Sequence, residues 1–400
     1  MTKGKANILI LISILVITLV FVIFFIMKKD SPNTSPSSEL DNSEETYEEN
    51  NHNNKENKDE IDEEPTLTSP FSKYKYYGEK CLNIDPLIER GDCFQELAEN
   101  YLTWDLDEDK SFFPYKIETD DQEKDTKDDQ DYNIFSMEVE KDDRLSEIFE
   151  TNYFDLHGDR ESQSDTIYDK GKRTLENHWH VISNIIPSEY RESLKKLYYR
   201  DKDGTSFLAV GYTEGKSSEL ALLISENISE KYSPSTRFIL LHEFGHILTT
   251  NDQEVDIYEG IFEEGMTDEV EAEAIAQCET VYSQTRCAKE DSYLYDYYKD
   301  FWQDINEEFE AIDWYDEKGF ENFFFDHEEH FFNSYQGTNI LEDIATSFAF
   351  FIYTHSDVRK KPEIKYQKIN FFYNYDELIE LRTAILENLY HLSVEDEIIY

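Results

Sequence analysis

A chain of 400 residues carries 89 Asp and Glu against 38 Lys and Arg, for a formal net charge of -51. That balance excludes nucleic acid and other polyanions as partners, since a phosphate backbone has to be met by Lys and Arg; basic peptides or cations suit the surface instead. With 28 Tyr and 27 Phe there is ample material for a core, although much of the first third is unsuited to packing.

Lys3 and Lys5 precede an apolar run that reaches Met27 and closes at Lys28 and Lys29. About 20 apolar residues span a bilayer as a helix, and the shorter apolar core and small-residue cleavage site of a removable leader are not visible. The expectation is an uncleaved single-pass anchor over 7-27 behind a short cytoplasmic tail, 1-6, with the large hydrophilic remainder exported. Residues 28-70 are Ser, Pro, Asn, Asp and Glu with almost no large apolar side chains, the composition of a disordered acidic linker.

The cysteines fall into two local pairs, Cys81 with Cys93 and Cys278 with Cys287. On an exported chain such pairs favour two small-loop disulfides; a four-thiolate metal site is the alternative, without the Cys-x-x-Cys spacing such sites use. Residues 71-117, aromatic and Leu-containing around the first pair, form either a small subdomain or an arm packed on the main domain. Residues 118-131 are almost all charged or polar and read as a second acidic linker, after which apolar periodicity returns and holds over 132-400.

Leu175, Trp179, Ile182 and Ile186 recur at helical spacing ahead of Pro187, which predicts an amphipathic helix over 174-186 with His178 and His180 as surface or packing residues. Asp203-Gly204 and Gly215-Lys216 are turn signals beside two strand-like stretches, 205-212 and 220-225, which together predict an antiparallel hairpin. Ser233 is a good N-cap with Pro234 at the first helical position, so a helix starts there and runs to Thr250.

That helix carries His242-Glu243-Phe244-Gly245-His246 within an apolar run. Two histidines one turn apart share a helical face and can converge on one ion. Glu243 lies about 100° round the helix from His242, so it borders the ion without binding it and suits a base acting on activated water. The bland alternative is an amphipathic helix with two half-buried histidines.

Strand, loop and His-Glu-x-x-His helix in that order resemble the zinc peptidases called zincins, whose edge strand beside the helix aligns an extended peptide; the resemblance puts 220-225 at that edge. Catalytic zinc takes three protein ligands and keeps a further position open. The metzincin pattern needs Gly at 249 and His at 252, where this chain has Thr249 and Asp252. The gluzincin pattern takes a glutamate from a later helix. Glu263 and Glu264 are just out of register for it, whereas the stretch from Asn339 to Ala349, with Glu342, Asp343 and Ala345, resembles the Glu-Asp-x-Ala helices of long-insertion gluzincins and the second motif of uncharacterised exported bacterial proteins with both signatures. Leu341, Ile344, Phe348 and Ile352 make an apolar stripe, while Glu342 shares its face with Ala345, Thr346 and Ala349, small residues that let two helices approach. A buried glutamate needs a mate. Glu342 is therefore preferred as third ligand, with Asp343 and Glu263 or Glu264 as alternatives, and a solvated Glu342-Asp343 pair at a helix start as the bland reading. One departure stands out: the family has an acidic residue that orients a histidine where this chain has Thr346, whose hydroxyl accepts the same bond without the charge, or Asp343 takes over.

The resemblance implies an α+β fold, with 132-400 a zincin-like metallopeptidase domain having a small antiparallel sheet and an active-site helix behind the anchor and linker. It implies Zn2+ on His242, His246 and Glu342, Glu243 as general base, and a peptide or protein substrate met at the outer face of the cell membrane. A catalytically inactive zincin-fold binding or scaffold protein is the alternative; a surface module without metal is a third. Tyr335, Tyr353 and His355 are candidates for stabilising an oxyanion. His327 and His330 read as exposed positions on a charged helix rather than a second metal pair. The stretch 293-309 is aromatic and helix-like, and 371-392 predicts a closing amphipathic helix.

Overall fold

The computed structural model describes residues 69-101, 133-150, 165-201, 208-213, 216-225, 234-264, 267-312 and 317-395. The expected anchor, the first linker as far as residue 68 and the second acidic linker fall outside them, and no helix among the described residues is long and apolar enough to cross a membrane. The fold is α+β, mostly helical with two small sheets.

The described chain opens with α1 (Pro70–Cys81) and α2 (Leu87–Tyr101). Ser69 caps α1 by accepting from Ser72 N–H at 3.1 Å, and Pro70 follows at the first helical position. The Cys81–Cys93 disulfide ties the two helices together. Asp92 accepts from buried Arg382 at 3.0 Å and from Ser356 N–H at 3.0 Å, and Gln95 donates to the Tyr353 carbonyl at 3.0 Å. With Tyr74, Phe94 and Leu97 in the main apolar cluster, this segment is an arm packed on the body.

Next come β1 (Asn133–Glu138), β2 (Phe149–Glu150), α3 (Asp165–Ile185), β3 (Leu194–Asp201), β4 (Leu208–Thr213) and β5 (Lys216–Ser225). The strands form one sheet in the order β2-β1-β3-β5-β4. Two expectations need correcting. The sheet is mixed, because β3 and β5 run parallel while β4 and β5 make the expected antiparallel hairpin. The edge strand is β4; 220-225 lies in the interior strand β5. The reason is in the residues: Leu220 to Ile224 is an unbroken apolar run, all of it buried, and a strand covered on both faces needs such a run where a half-exposed one alternates.

The motif helix α4 spans Pro234–Thr250 as expected. A second sheet, which the sequence reading missed, follows around α5 (Glu259–Glu264) and α6 (Asp268–Gln277): β6 (Val255–Ile257), β7 (Tyr282–Ser283) and β8 (Arg286–Ala288), antiparallel in the order β6-β8-β7 and tied by Cys278–Cys287. The aromatic stretch is two helices, α7 (Tyr293–Phe301) and α8 (Asn306–Glu310), with buried Trp302 between them. After α9 (Glu317–Asp326) comes α10 (Ile340–Tyr353), then α11 (Ile364–Phe371) and α12 (Asp376–Glu395). The expected closing helix is thus broken by a 3-10 turn at Phe372–Asn374. All 14 residues of α10 are buried, which makes it the central helix of the body and not an amphipathic one.

Candidate metal centre

Gly245 on α4 faces Ala345 on α10. A Cβ at position 245 would stand 2.9 Å from Ala345 Cα and 3.0 Å from its carbonyl oxygen, so only glycine permits this crossing. Side chains flanking the contact are brought together as a result. His242 Nε2 lies 3.1 Å and His246 Nε2 lies 3.2 Å from the same Glu342 oxygen, with the two nitrogens 3.1 Å apart. Asn339 fixes the approach of α10 by accepting from Leu341 N–H at 2.9 Å and Glu342 N–H at 3.1 Å.

Two imidazole nitrogens and a carboxylate oxygen this close can share a proton or a metal ion. Ligands about 2.0–2.1 Å from a tetrahedral ion are about 3.3 Å from one another, close to the separations found here. The group can therefore hold a metal ion, and among the described residues no other group of His, Cys, Asp or Glu comes together in this way. His246 is the most open member, with 13% of its side chain exposed against 2% for His242 and 8% for Glu342, so solvent reaches the cluster from its side.

The surrounding bonds prepare these atoms. His242 Nδ1 lies 3.0 Å from Thr346 Oγ1. An Nδ1–H donated there leaves the Nε2 lone pair facing Glu342. Burial lowers the His242 pKa from its ordinary value, with His246 adding to the shift and Glu342 opposing it. Burial also opposes ionisation of Glu342, but the charge and hydrogen bonds of His246 and His242 outweigh it and hold the carboxyl far below the usual carboxylate range. Two imidazoles and a carboxylate are a donor set that can hold a divalent cation.

Glu243 is buried outside the three-atom group. Burial pushes its pKa well above the ordinary carboxyl value, the Glu342 charge adds to this, and the Val210 N–H on edge strand β4 pulls it back. Its carboxyl thus lies within reach of the edge strand and of the Glu342 charge. Tyr335, on the turn before α10, donates its hydroxyl to Glu342 and places its ring 5.7 Å from that of His242. It alone of the three oxyanion candidates reaches the centre. Tyr353 is buried and stacked on Phe238 at 5.8 Å, and His355 stands by the arm, 3.6 Å from Asp92 and 3.5 Å from Glu96.

Asp343 turns away from the histidines and accepts from Trp302, Gln336 and Lys368 instead. Glu263 and Glu264 close α5, and their side chains lie outside the described residues. His327 and His330 correct another expectation. They are half-buried at a 3-10 turn and not exposed on a helix; His327 pairs with Glu308 at 3.1 Å, while burial and the Lys368 charge push His330 down to about 4. His178 is buried with Nδ1 2.9 Å from the Thr174 carbonyl, and His180 is exposed beside Asn184, the packing and surface roles expected.

No family model, curated protein or solved structure matches this chain.

Proposed function

We propose that the chain is a membrane-anchored, extracytoplasmic zinc metallopeptidase of gluzincin type, with His242, His246 and Glu342 as ligands and Glu243 as general base. One observation carries the reading: two helices bring three acceptor atoms within 3.2 Å of one another beside a buried carboxyl. Two imidazoles and a carboxylate with room for a further ligand suit zinc. When bound, zinc would supply Lewis acidity, polarising a scissile carbonyl and lowering the pKa of water toward about 7.

The chain's own residues do the rest. Thr346 holds the His242 ring so that Nε2 is aimed, and the Asn339 cap fixes the turn that carries Glu342. Glu243 takes a proton from the attacking water and returns it to the leaving amine. Edge strand β4, whose Val210 N–H meets Glu243, would align an extended peptide by strand addition. A basic peptide suits a net charge of -51.

Elemental analysis of the full-length protein in mild detergent should find about one zinc per chain, and a diverse peptide library should be cleaved. Glu243→Gln should keep the zinc and lose the cleavage; unchanged turnover in that variant removes Glu243 from the mechanism. A metal-holding scaffold without hydrolysis is the second reading, favoured by the neutral Thr346 hydroxyl at a position where a carboxylate would raise ligand basicity. Bound zinc with no cleavage by the wild type selects it. A protein without metal ends both readings.

A further inference from the structure

Asp343 follows the ligand Glu342 in sequence and forms an ion pair with Lys368 in which both side chains are 0% exposed. Compared with apolar residues of the same volume, a buried pair of this kind adds little or nothing to net stability. Folding alone does not account for it.

Its connections suggest what does. One Asp343 oxygen accepts from Lys368 Nζ on α11 at 2.5 Å and from Trp302 Nε1, just past α7, at 2.7 Å. The other accepts from Gln336 Nε2 at 3.1 Å. Gln336 in turn accepts from Phe332 N–H at 2.6 Å, and its own N–H is donated to Asn333 at 3.1 Å. These bonds fix the turn that carries Tyr335, whose hydroxyl donates back to Glu342. A circuit closes: Asp343 to Gln336, along the turn to Tyr335, across to Glu342, and back along the helix to Asp343. Lys368 is held in place within it, 4.1 Å from the centre of the Phe331 ring.

We propose that Asp343, neutralised by Lys368, is a positioning residue for the metal ligand: it locks the Tyr335 turn against the first turn of α10, so that Glu342 stays aimed between His242 and His246. The inference rests on the ligand set of the proposed metal centre and not on turnover.

The test uses full-length protein and two metals, zinc for affinity and cobalt for the visible absorption spectrum, which reports ligand geometry. Asp343→Asn/Lys368→Met removes both charges while leaving an acceptor for Trp302, so its unfolding midpoint should stay near that of the wild type. Zinc Kd should nevertheless weaken by about 10- to 100-fold, as when partners that orient metal ligands are lost, and the cobalt spectrum should shift. Gln336→Met keeps the Asp343–Lys368 pair and cuts the link to the Tyr335 turn, together with the side-chain bonds to Phe332 N–H and Ser347; it should change both readouts in the same direction by less, and it decides the matter if the double variant does not fold. A folded double variant with wild-type zinc affinity and cobalt spectrum overturns the proposal, and so does Gln336→Met with both unchanged if it is the variant that decides. Failure of the wild type to take up either metal overturns the metal centre as well, and that outcome is seen before any variant is made.

Discussion

Glu342 and Asp343 are neighbours on one helix and both are buried, yet they are surrounded by opposite kinds of atom. Asp343 meets an ammonium, an indole N–H and an amide N–H, all donors. Glu342 meets two imidazole nitrogens and one hydroxyl donor. The step of about 100° between consecutive helical residues turns one toward α11 and the other toward α4. A carboxylate ringed by donors is complete as it stands. One facing two imidazole nitrogens leaves a place where a cation can be held.

Removing one charge on each side is the strongest way to break this contrast. Lys368→Met leaves Asp343 as an uncompensated buried charge and should lower unfolding free energy by about 3–5 kcal/mol. Glu342→Gln should abolish zinc retention through dialysis, yet change metal-free stability by only about 1 kcal/mol, since it also removes a buried charge. Denaturant unfolding of both variants without metal measures the difference. Equal losses would mean that the two carboxylates do the same structural work.

A smaller effect sharpens the geometry behind the contrast. Gly245→Ala puts a methyl group against Ala345 backbone atoms at 2.9–3.0 Å, which forces α4 and α10 apart. Overpacking of this kind costs about 1–3 kcal/mol, and zinc affinity should fall with it. Because the obstructing atoms are backbone, Ala345→Gly should not rescue the variant. A rescue would show that side-chain crowding, and not the helix crossing, was at fault.

Local patterns made half of this architecture legible in the sequence. Pro234 opening α4, His242 and His246 one turn apart, the close cysteine pairs and small Ala345 beside Glu342 are signals carried by neighbouring residues, and each is found where it was expected. What stayed hidden depends on residues distant in sequence. Lys368 and Trp302 reach Asp343 from 25 and 41 positions away, and Arg382 reaches Asp92 across 290. The small-residue face of α10 was readable, but with the whole helix buried its pattern did not say what covers the other faces. The edge strand was misassigned for a different reason, since the unbroken run from Leu220 to Ile224 already signalled a covered strand and its proximity to α4 in the chain was given more weight.

Glu254 adds a third way of keeping a buried carboxyl, and the mildest prediction. It lies just past α4 and accepts from Tyr293 N–H at 2.7 Å at the start of α7. Burial raises its pKa from 4.5 to about 7, with Asp291 and Asp296 adding to the shift and the Tyr293 bond and Lys289 opposing it. The folded state therefore holds a proton that the unfolded chain releases. This contribution to stability is complete below the unfolded value of 4.5 and is lost as pH rises through about 7. Between about pH 5 and about pH 8 the loss should be on the order of 1 kcal/mol, since the carboxyl is only partly shielded from water. Glu254→Gln should flatten that slope while leaving zinc affinity unchanged, as measured by denaturant unfolding at both pH values. Metal for Glu342, ammonium for Asp343 and a proton for Glu254 would then be three distinct answers to one electrostatic problem; an unchanged slope would return Glu254 to the ordinary ionised carboxylates.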